Sequence, residues 1–197
     1  MSQAVDDSVL IRQCQGGDRS AFDTLVHQYE HKAFQYAMRM TRDPDEAADV
    51  VAEAFVRVYN AIGNFRSQSA FGTWLYRILT NCYLDHRKKD KSRFQTSLET
   101  TFQSESGEVE RQYPDTAPGP DEEAERSARE AAVQDALSQM PDYQKAMLIM
   151  YHVENLSYEE ISETLDLPLG TVKSRLNRAR HALRDLLSVD MELFNVT

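Results

Sequence analysis

Cysteine is scarce. Cys14 and Cys82 are the two in 197 residues, far apart and in no C-x-x-C arrangement. That leaves a disulfide framework or a zinc knuckle without support, and both thiols are expected reduced inside helices. A run of about 18 apolar residues is also lacking, and the opening MSQAVDDSVL does not follow the basic-then-apolar order of a signal peptide. No membrane insertion is therefore expected, and the cytoplasm is the expected compartment. Positive charge is in deficit as well: 22 Lys and Arg stand against 32 Asp and Glu, a net charge of −10. A generic nucleic-acid binder would be basic overall.

The distribution of charge changes that conclusion. Acid is gathered in the middle, where Glu99, Glu105, Glu108, Glu110, Asp115, Asp121, Glu122, Glu123 and Glu125 face only Arg111. Base is gathered in two separate patches on either side. From Phe94 to Pro120 periodicity vanishes and Ser, Thr, Gln, Glu, Gly and Pro dominate, as expected of a flexible acidic linker. The chain thus divides into residues 1–93, a linker 94–120, a second unit 121–190 and a tail 191–197 to which the sequence assigns no role. Both units read as small, all-α domains with enough chain to bury a core.

In the first unit, Val9, Leu10 and Ile11 begin a short helix ending at Gly16 and Gly17, and Asp18 is placed to cap the next. That helix carries Phe22, Leu25, Val26, Tyr29, Ala33, Ala37 and Met40 on one apolar face. Asp43, Pro44, Asp45 and Glu46 supply a cap, a first-turn proline and acids set against the dipole of a third helix. On it Ala47, Val51, Ala54, Phe55, Val58 and Ile62 form the apolar stripe, with Asp49, Glu53 and Arg57 on a polar one. Gly63 and Asn64 end it, glycine being suited to a left-handed C-terminal turn. A fourth helix starts near Ser69, buries Leu75, Ile78, Leu79 and Cys82, and exposes Arg77, Asn81, Asp85 and Lys88.

Phe65, Phe71, Trp74 and Tyr76 crowd the start of that fourth helix. Arg87, Lys88, Lys89, Lys91 and Arg93 close it, opposed by Asp85 and Asp90. Aromatic faces beside cations suit unpaired bases, since stacking contributes about 1–3 kcal/mol per base and the cations track phosphates. Core packing of Phe71 and Trp74 is the competing account.

In the second unit, Ala128, Ala132, Val133, Ala136, Leu137 and Met140 form a helical stripe. Pro141 breaks it, and Tyr143, Met147, Leu148 and Met150 continue up to His152. Ser157-Tyr158-Glu159-Glu160 is a capping box that opens a short helix burying Ile161 and Leu165. After Asp166, Leu167 and Pro168 comes a helix burying Val172, Leu176, Ala179 and Leu183, with Lys173, Arg175, Arg178, Arg180 and Arg184 on its other faces. Two short helices and a tight turn, the second helix cationic, form the pattern of a helix-turn-helix that enters the major groove. A helical hairpin with a solvated basic face is the alternative.

His27-Gln28-Tyr29-Glu30-His31 fits H-x-x-E-H, a spacing that sets two imidazoles on one helical face as in zinc hydrolases. No third ligand is evident, so solvated histidines are the simpler account. Neither a metal nor another cofactor is expected.

The stretches D-V-V-x-E-A-F-V-R-V-Y and F-R-x-x-S-A-F-x-T-W-L-Y-R-I resemble domain 2 of bacterial RNA polymerase sigma factors of the extracytoplasmic-function group. L-S-Y-E-E-I-S-E-x-L-x-L-P-x-G-T-V-K-S-R-L-x-R-A-R resembles their domain 4. The resemblance implies a dissociable, non-enzymatic specificity subunit that binds core RNA polymerase, directs it to promoters and helps open the DNA. It implies that Asp49, Glu53, Phe55, Val56 and Tyr59 meet the clamp coiled coil of the largest polymerase subunit, and that the second unit meets the flap of the second-largest. Asn64, Phe65, Arg66, Ser69, Phe71, Trp74, Arg77, Asn81, Asp85 and Lys88 would meet the displaced strand of the −10 element, the loop capturing an extruded base. Thr171, Lys173, Ser174, Arg175, Asn177 and Arg178 would read the −35 duplex. Asn177 departs from relatives that carry a larger or apolar residue there, so base preferences do not transfer. The resemblance further implies a linker threaded through polymerase channels rather than a mere tether, and control by an anti-sigma factor. No acidic inhibitory domain is expected ahead of Val9. A polymerase-independent helix-turn-helix regulator and a metal hydrolase built on His27 and His31 remain the other classes.

Overall fold

The computed structural model describes residues 6–66, 69–96 and 120–188. Among them every regular element is helical: α1 Asp7–Gln15, α2 Arg19–Thr41, α3 Pro44–Ala61, a 3₁₀ turn Ile62–Asn64, α4 Phe71–Thr96, α5 Pro120–Gln139, α6 Asp142–His152, α7 Tyr158–Leu165 and α8 Leu169–Leu187. The acidic stretch read as a linker lies, for residues 97–119, outside the described residues, as does the tail. Helix α4 runs on through residues 94–96, three positions past the point where periodicity was expected to stop. None of the described helices is long and apolar enough to cross a membrane.

Local chemistry sets the boundaries. Asp18 accepts from the Ser20 and Ala21 amides at 2.8 and 3.3 Å, capping α2. Asp43 accepts from the Glu46 amide at 2.8 Å, with Pro44 in the first turn of α3 where its missing N–H costs nothing. The capping box of α7 is reciprocal: the Glu160 amide donates to Ser157 Oγ at 3.1 Å, and the Ser157 amide donates to Glu160 Oε2 at 2.9 Å. Left-handed residues end α2 and α7, namely Arg42 (φ 62°) and Asp166 (φ 51°). Gly63 is not one of them. Helix α3 instead tightens into the 3₁₀ turn, with the Phe65 amide donating to the Ile62 carbonyl at 3.1 Å.

Helices α2, α3 and α4 pack on one another around Leu25, Tyr36, Met40, Leu75, Leu79 and Tyr83, all buried. Helix α3 is rotated slightly from the expected register. Ala47, Val50, Ala54 and Val58 face inward while Val51 and Phe55 are half-buried at the margin. Inside this core Tyr36 donates to Thr80 Oγ1 at 2.7 Å, and Thr80 in turn donates to the Tyr76 carbonyl at 2.7 Å. Neither hydroxyl is left unsatisfied. Helices α6, α7 and α8 form the second assembly around Met147, Ile149, Met150, Ile161, Val172 and Leu176. The two assemblies meet through α2, α4, α6 and α7, and the buried side chains form one continuous cluster.

Candidate nucleic-acid interface

The surface of α3 presents Asp49, Val56 and Tyr59 to solvent, and Val56 is 60% exposed, the largest value among the large apolar side chains of the described residues. Tyr59 packs its ring edge on Phe22 of α2 at 5.0 Å, which holds it upright. Glu53 does not stand free beside them. Its carboxylate pairs with Arg57 Nη2 at 2.5 Å and His86 Nε2 at 2.6 Å, and Arg57 also donates to Asp85 at 3.0 Å. The bonds from His86 and Arg57 hold the Glu53 carboxyl below the usual glutamate range. Two residues expected on separate surfaces, Glu53 and Asp85, are thus joined through one guanidinium that fastens α3 to α4.

The segment between α3 and α4 carries the aromatic cluster. Phe65 lies over Trp74 with ring centroids 4.7 Å apart and tilted by 36°, and both are half-buried. Phe71 sits beneath them, 5.7 Å from Trp74 and 4.9 Å from Tyr29, and is 2% exposed. A ring so covered has no face for a base, so the expectation that Phe71 meets DNA is corrected: it is the floor on which Phe65 and Trp74 rest. Asn64 and Arg66 are exposed, and Ser69 is half-buried. Gln15 of α1 donates to the carbonyls of Ile62 and Phe65 at 3.1 and 2.8 Å and so pins this segment. Beside it lies a cleft of about 260 Å³ between Gly17, Asp18, Arg19, Phe22, Tyr59 and Asn60. Sequence reasoning missed Gln15 because a polar residue on a short amphipathic helix carries no signal of a partner 47 residues away.

Along α4, Arg77, Asn81 and Lys88 are exposed. The basic run is less open than its sequence reads, because Arg87 Nε lies 3.4 Å from Asp142 of α6 and its Nη1 4.0 Å from Glu46. Residues 67–68, and the side chains of residues 90–96, including Lys91 and Arg93, fall outside the description.

The second surface is α8. Lys173, Ser174, Arg175, Asn177 and Arg178 are all exposed, and Thr171 is half-buried. Three of the cations on this helix lie over tyrosines: Lys173 over Tyr158 at 5.8 Å, Arg175 over Tyr143 at 5.2 Å and Arg180 over Tyr151 at 4.6 Å. Arg180 also donates to His152 Nε2 at 3.1 Å, and burial together with the Arg180 charge holds the His152 pKa below its ordinary value. The stem of Arg180 therefore serves packing, while Arg175 and Arg178 remain available at the surface. Behind them α6 and the end of α8 enclose an apolar groove of about 370 Å³, walled by Leu148, Leu183 and Leu187 and rimmed by Arg180 and Arg184. No single helix shows this groove in its periodicity.

His27 and His31 are exposed, and His27 Nδ1 lies 3.2 Å from Glu30. Among the described residues no three of His, Cys, Asp and Glu gather as a metal would require. Cys82 is buried, which pushes its thiol pKa up to about 11, away from thiolate chemistry.

An all-helical chain with a cationic helix-turn-helix at one end and an aromatic, partly basic hairpin at the other is the architecture of a DNA-handling protein. Residues 25–93 match the model of Sigma-70 region 2, and residues 130–183 match that of Sigma-70, region 4. The RNA polymerase sigma-H factor of Pseudomonas aeruginosa is 39% identical over 177 residues, 90% of this chain and 91% of that protein. The ECF RNA polymerase sigma-E factor of Escherichia coli K12 is 33% identical over 183 residues, 93% of this chain and 95% of that one. Among solved structures, the sigma factor RpoE of Bartonella quintana, bound to the anti-sigma factor NepR, superposes with a TM-score of 0.65 at 23% identity. That match covers 86% of this chain and 98% of RpoE. CnrH, in complex with the cytosolic domain of CnrY, gives 0.63 at 23% identity over 93% and 98%. The chain belongs to the extracytoplasmic-function group of sigma-70 family RNA polymerase sigma factors.

Proposed function

We propose that the chain acts as a promoter-specificity subunit: it docks on core RNA polymerase through α3, reads a −35 duplex with α8, and holds the opened −10 strand on the α3–α4 segment and α4. The observation that carries this reading is the order of the two family matches along one chain, each falling on a surface that is exposed and chemically suited to its role. Val56 and Tyr59, apolar and solvated on α3, suit the clamp coiled coil of the largest subunit. Phe65, Trp74, Arg77, Asn81 and Lys88 suit an unpaired strand, while Glu53, Asp85 and Phe71 position these groups from behind. Lys173, Ser174, Arg175, Asn177 and Arg178 suit the major groove. The apolar groove between α6 and α8, cationic at its rim, suits an amphipathic helix such as a flap tip. An anti-sigma factor is the natural opposing partner, as NepR is of RpoE in Bartonella quintana. No step requires catalysis by this chain.

The test is transcription by core RNA polymerase from a pool of random promoter fragments, with and without the protein, reading the start sites by sequencing. Starts that share upstream motifs only in its presence are the expected result. Unchanged starts, with binding of duplex DNA by residues 120–188 of the intact protein alone, would move the assignment to a polymerase-independent regulator.

A further inference from the structure

Helix α1 lies ahead of residues 25–93, the stretch that matches Sigma-70 region 2, yet it is tied to the aromatic platform at both ends. Its own position is fixed first. Asp6 caps it by accepting from the Ser8 amide at 2.9 Å, and Leu10 and Ile11 are buried in the first core. Beyond its last turn the chain reverses through Gly17 (φ 90°), a left-handed conformation that favours glycine, while the Asp18 amide donates to the Gln13 carbonyl at 3.0 Å. Asp7, the first residue of α1, accepts from the Tyr29 hydroxyl at 2.5 Å and from Gln28 Nε2 at 2.8 Å. The Tyr29 ring in turn meets Phe71, the floor of the platform, edge-on at 4.9 Å. Gln15, the last residue of α1, reaches the platform from the other side.

The Gln15 carboxamide carries two N–H donors on one nitrogen, and both are used: Nε2 donates to the Ile62 carbonyl at 3.1 Å and to the Phe65 carbonyl at 2.8 Å. These two carbonyls bracket Gly63 and Asn64. Phe65 has left the helical conformation (φ −68°, ψ 118°), so its carbonyl depends on a donor from elsewhere in the fold. A Cβ at Gly63 would meet nothing within 4 Å, so side-chain packing does not restrain the turn there. Phe65 lies over Trp74 at 4.7 Å, and Asn64 is exposed beside it. One carboxamide therefore sets the angle at which a stacking ring and an amide side chain are offered to a base. Gln15 is itself exposed, so water competes for its bonds and their share of global stability is small. What they remove is the freedom of a three-residue turn, and choice among ligands depends on recognition groups being held still.

We propose that Gln15 is a positioning residue for −10 selectivity: a two-donor clamp that holds the turn from Ile62 to Phe65, and with it Asn64 and Phe65, in the orientation that discriminates among unpaired bases. The inference rests on the sigma-factor reading above and adds to it a helix, α1, to which that reading gives no part. Without the clamp the platform still stacks a base, since every base has a π-face, but the groups beside it no longer choose one. Holding of the strand survives while selectivity falls.

Gln15→Met and Gln15→Glu keep the length of the side chain and remove both donors, whereas Gln15→Lys supplies donors again from an ammonium. Trp74 is the single tryptophan of the chain, so its fluorescence in the free protein reads the platform without polymerase. Both donor-less variants should raise acrylamide quenching of Trp74 about twofold with the denaturant midpoint nearly unchanged, and Gln15→Lys should not. In start-site sequencing with core polymerase and random promoter fragments, the donor-less variants should lower the base preference at −10 positions about tenfold. Preference at −35 positions, and the protein concentration that saturates polymerase, should stay as in the wild type, and Gln15→Lys should return most of the −10 preference. Unchanged quenching in both donor-less variants overturns the clamp, whether or not the chain directs transcription. A steep fall in the midpoint, −10 preference retained, or equal loss at −10 and −35 makes Gln15 a fold-supporting residue and overturns its role in selectivity. Wild-type protein that leaves the starts unchanged sinks the sigma-factor reading and the selectivity role with it, while quenching decides the clamp by itself.

Discussion

The two halves of this molecule hold their charged groups differently. In α8 Lys173 and Arg175 lie on the surface over the rings of Tyr158 and Tyr143, and among the described residues no carboxylate pairs with either. In α3 and α4 two arginines are tied into pairs, Arg57 between Glu53 and Asp85 and Arg87 against Asp142, while Arg77 and Lys88 stay exposed. A helix that enters a duplex groove needs free cations to neutralise phosphate. A hairpin that holds a melted strand needs a rigid aromatic platform, and its ion pairs supply the rigidity. The overall deficit of base is thereby reconciled with DNA binding, since the few free cations are concentrated where a duplex would meet them.

Substitutions can break this contrast at either end. The largest effect is expected from Phe71→Ala: emptying a site 2% exposed should cost about 3–5 kcal/mol, seen as a drop in the denaturant midpoint. Trp74→Ala, at a half-buried ring, should cost less stability and lower promoter opening more than polymerase binding; equal loss of both would make Trp74 another packing residue. Next, Leu176→Ala in the second core should cost about 2–5 kcal/mol. Because the buried cluster is continuous, it should shift the same single melting transition that Phe71→Ala shifts. Two separate transitions would show that the halves unfold independently.

Ser157→Ala removes the acceptor for the Glu160 amide and should cost about 1 kcal/mol by thermal unfolding, with α8 less well supported. Arg178→Ala should leave the melting temperature nearly unchanged while lowering the salt dependence of −35 duplex binding by the holoenzyme by about one counterion. The smallest effect concerns acid. Hydrogen bonds from the Ser157 amide and hydroxyl and from Thr73 hold the Glu160 carboxyl below its ordinary value of 4.5. The stability this supplies is complete above that value and lost as pH falls through it toward the lower folded-state pKa. Glu160→Gln should flatten this part of the acid limb; an unchanged limb would assign it to other carboxylates such as Glu53.

Much of the local structure was legible because it is written over short distances. The caps at Asp18, Asp43 and Ser157 and the exposed face of α8 each depend on residues within about one helical turn. The readings that changed involve neighbours distant in sequence or a balance too fine for pattern. Phe71 looked as available as Trp74 until Tyr29 and Phe65 closed over it, and Val50 displaced Val51 from the core by a small rotation of α3. Gly63 was read as a left-handed terminator, but the chain tightened into a 3₁₀ turn held by Gln15 from α1.

By itself the sequence determined that the chain is all-helical, where its helices begin, which family it belongs to and which helix carries the exposed cations of the second unit, since periodicity, capping and motif spacing are properties of neighbouring residues. Tertiary structure alone decided that Glu53 and Asp85 share one arginine, that α6 and α8 enclose an apolar groove, and that Lys145 finds the one carbonyl Pro44 leaves without a donor. Each depends on two helices meeting at a particular angle, and that angle follows from the summed packing of side chains that no local pattern contains.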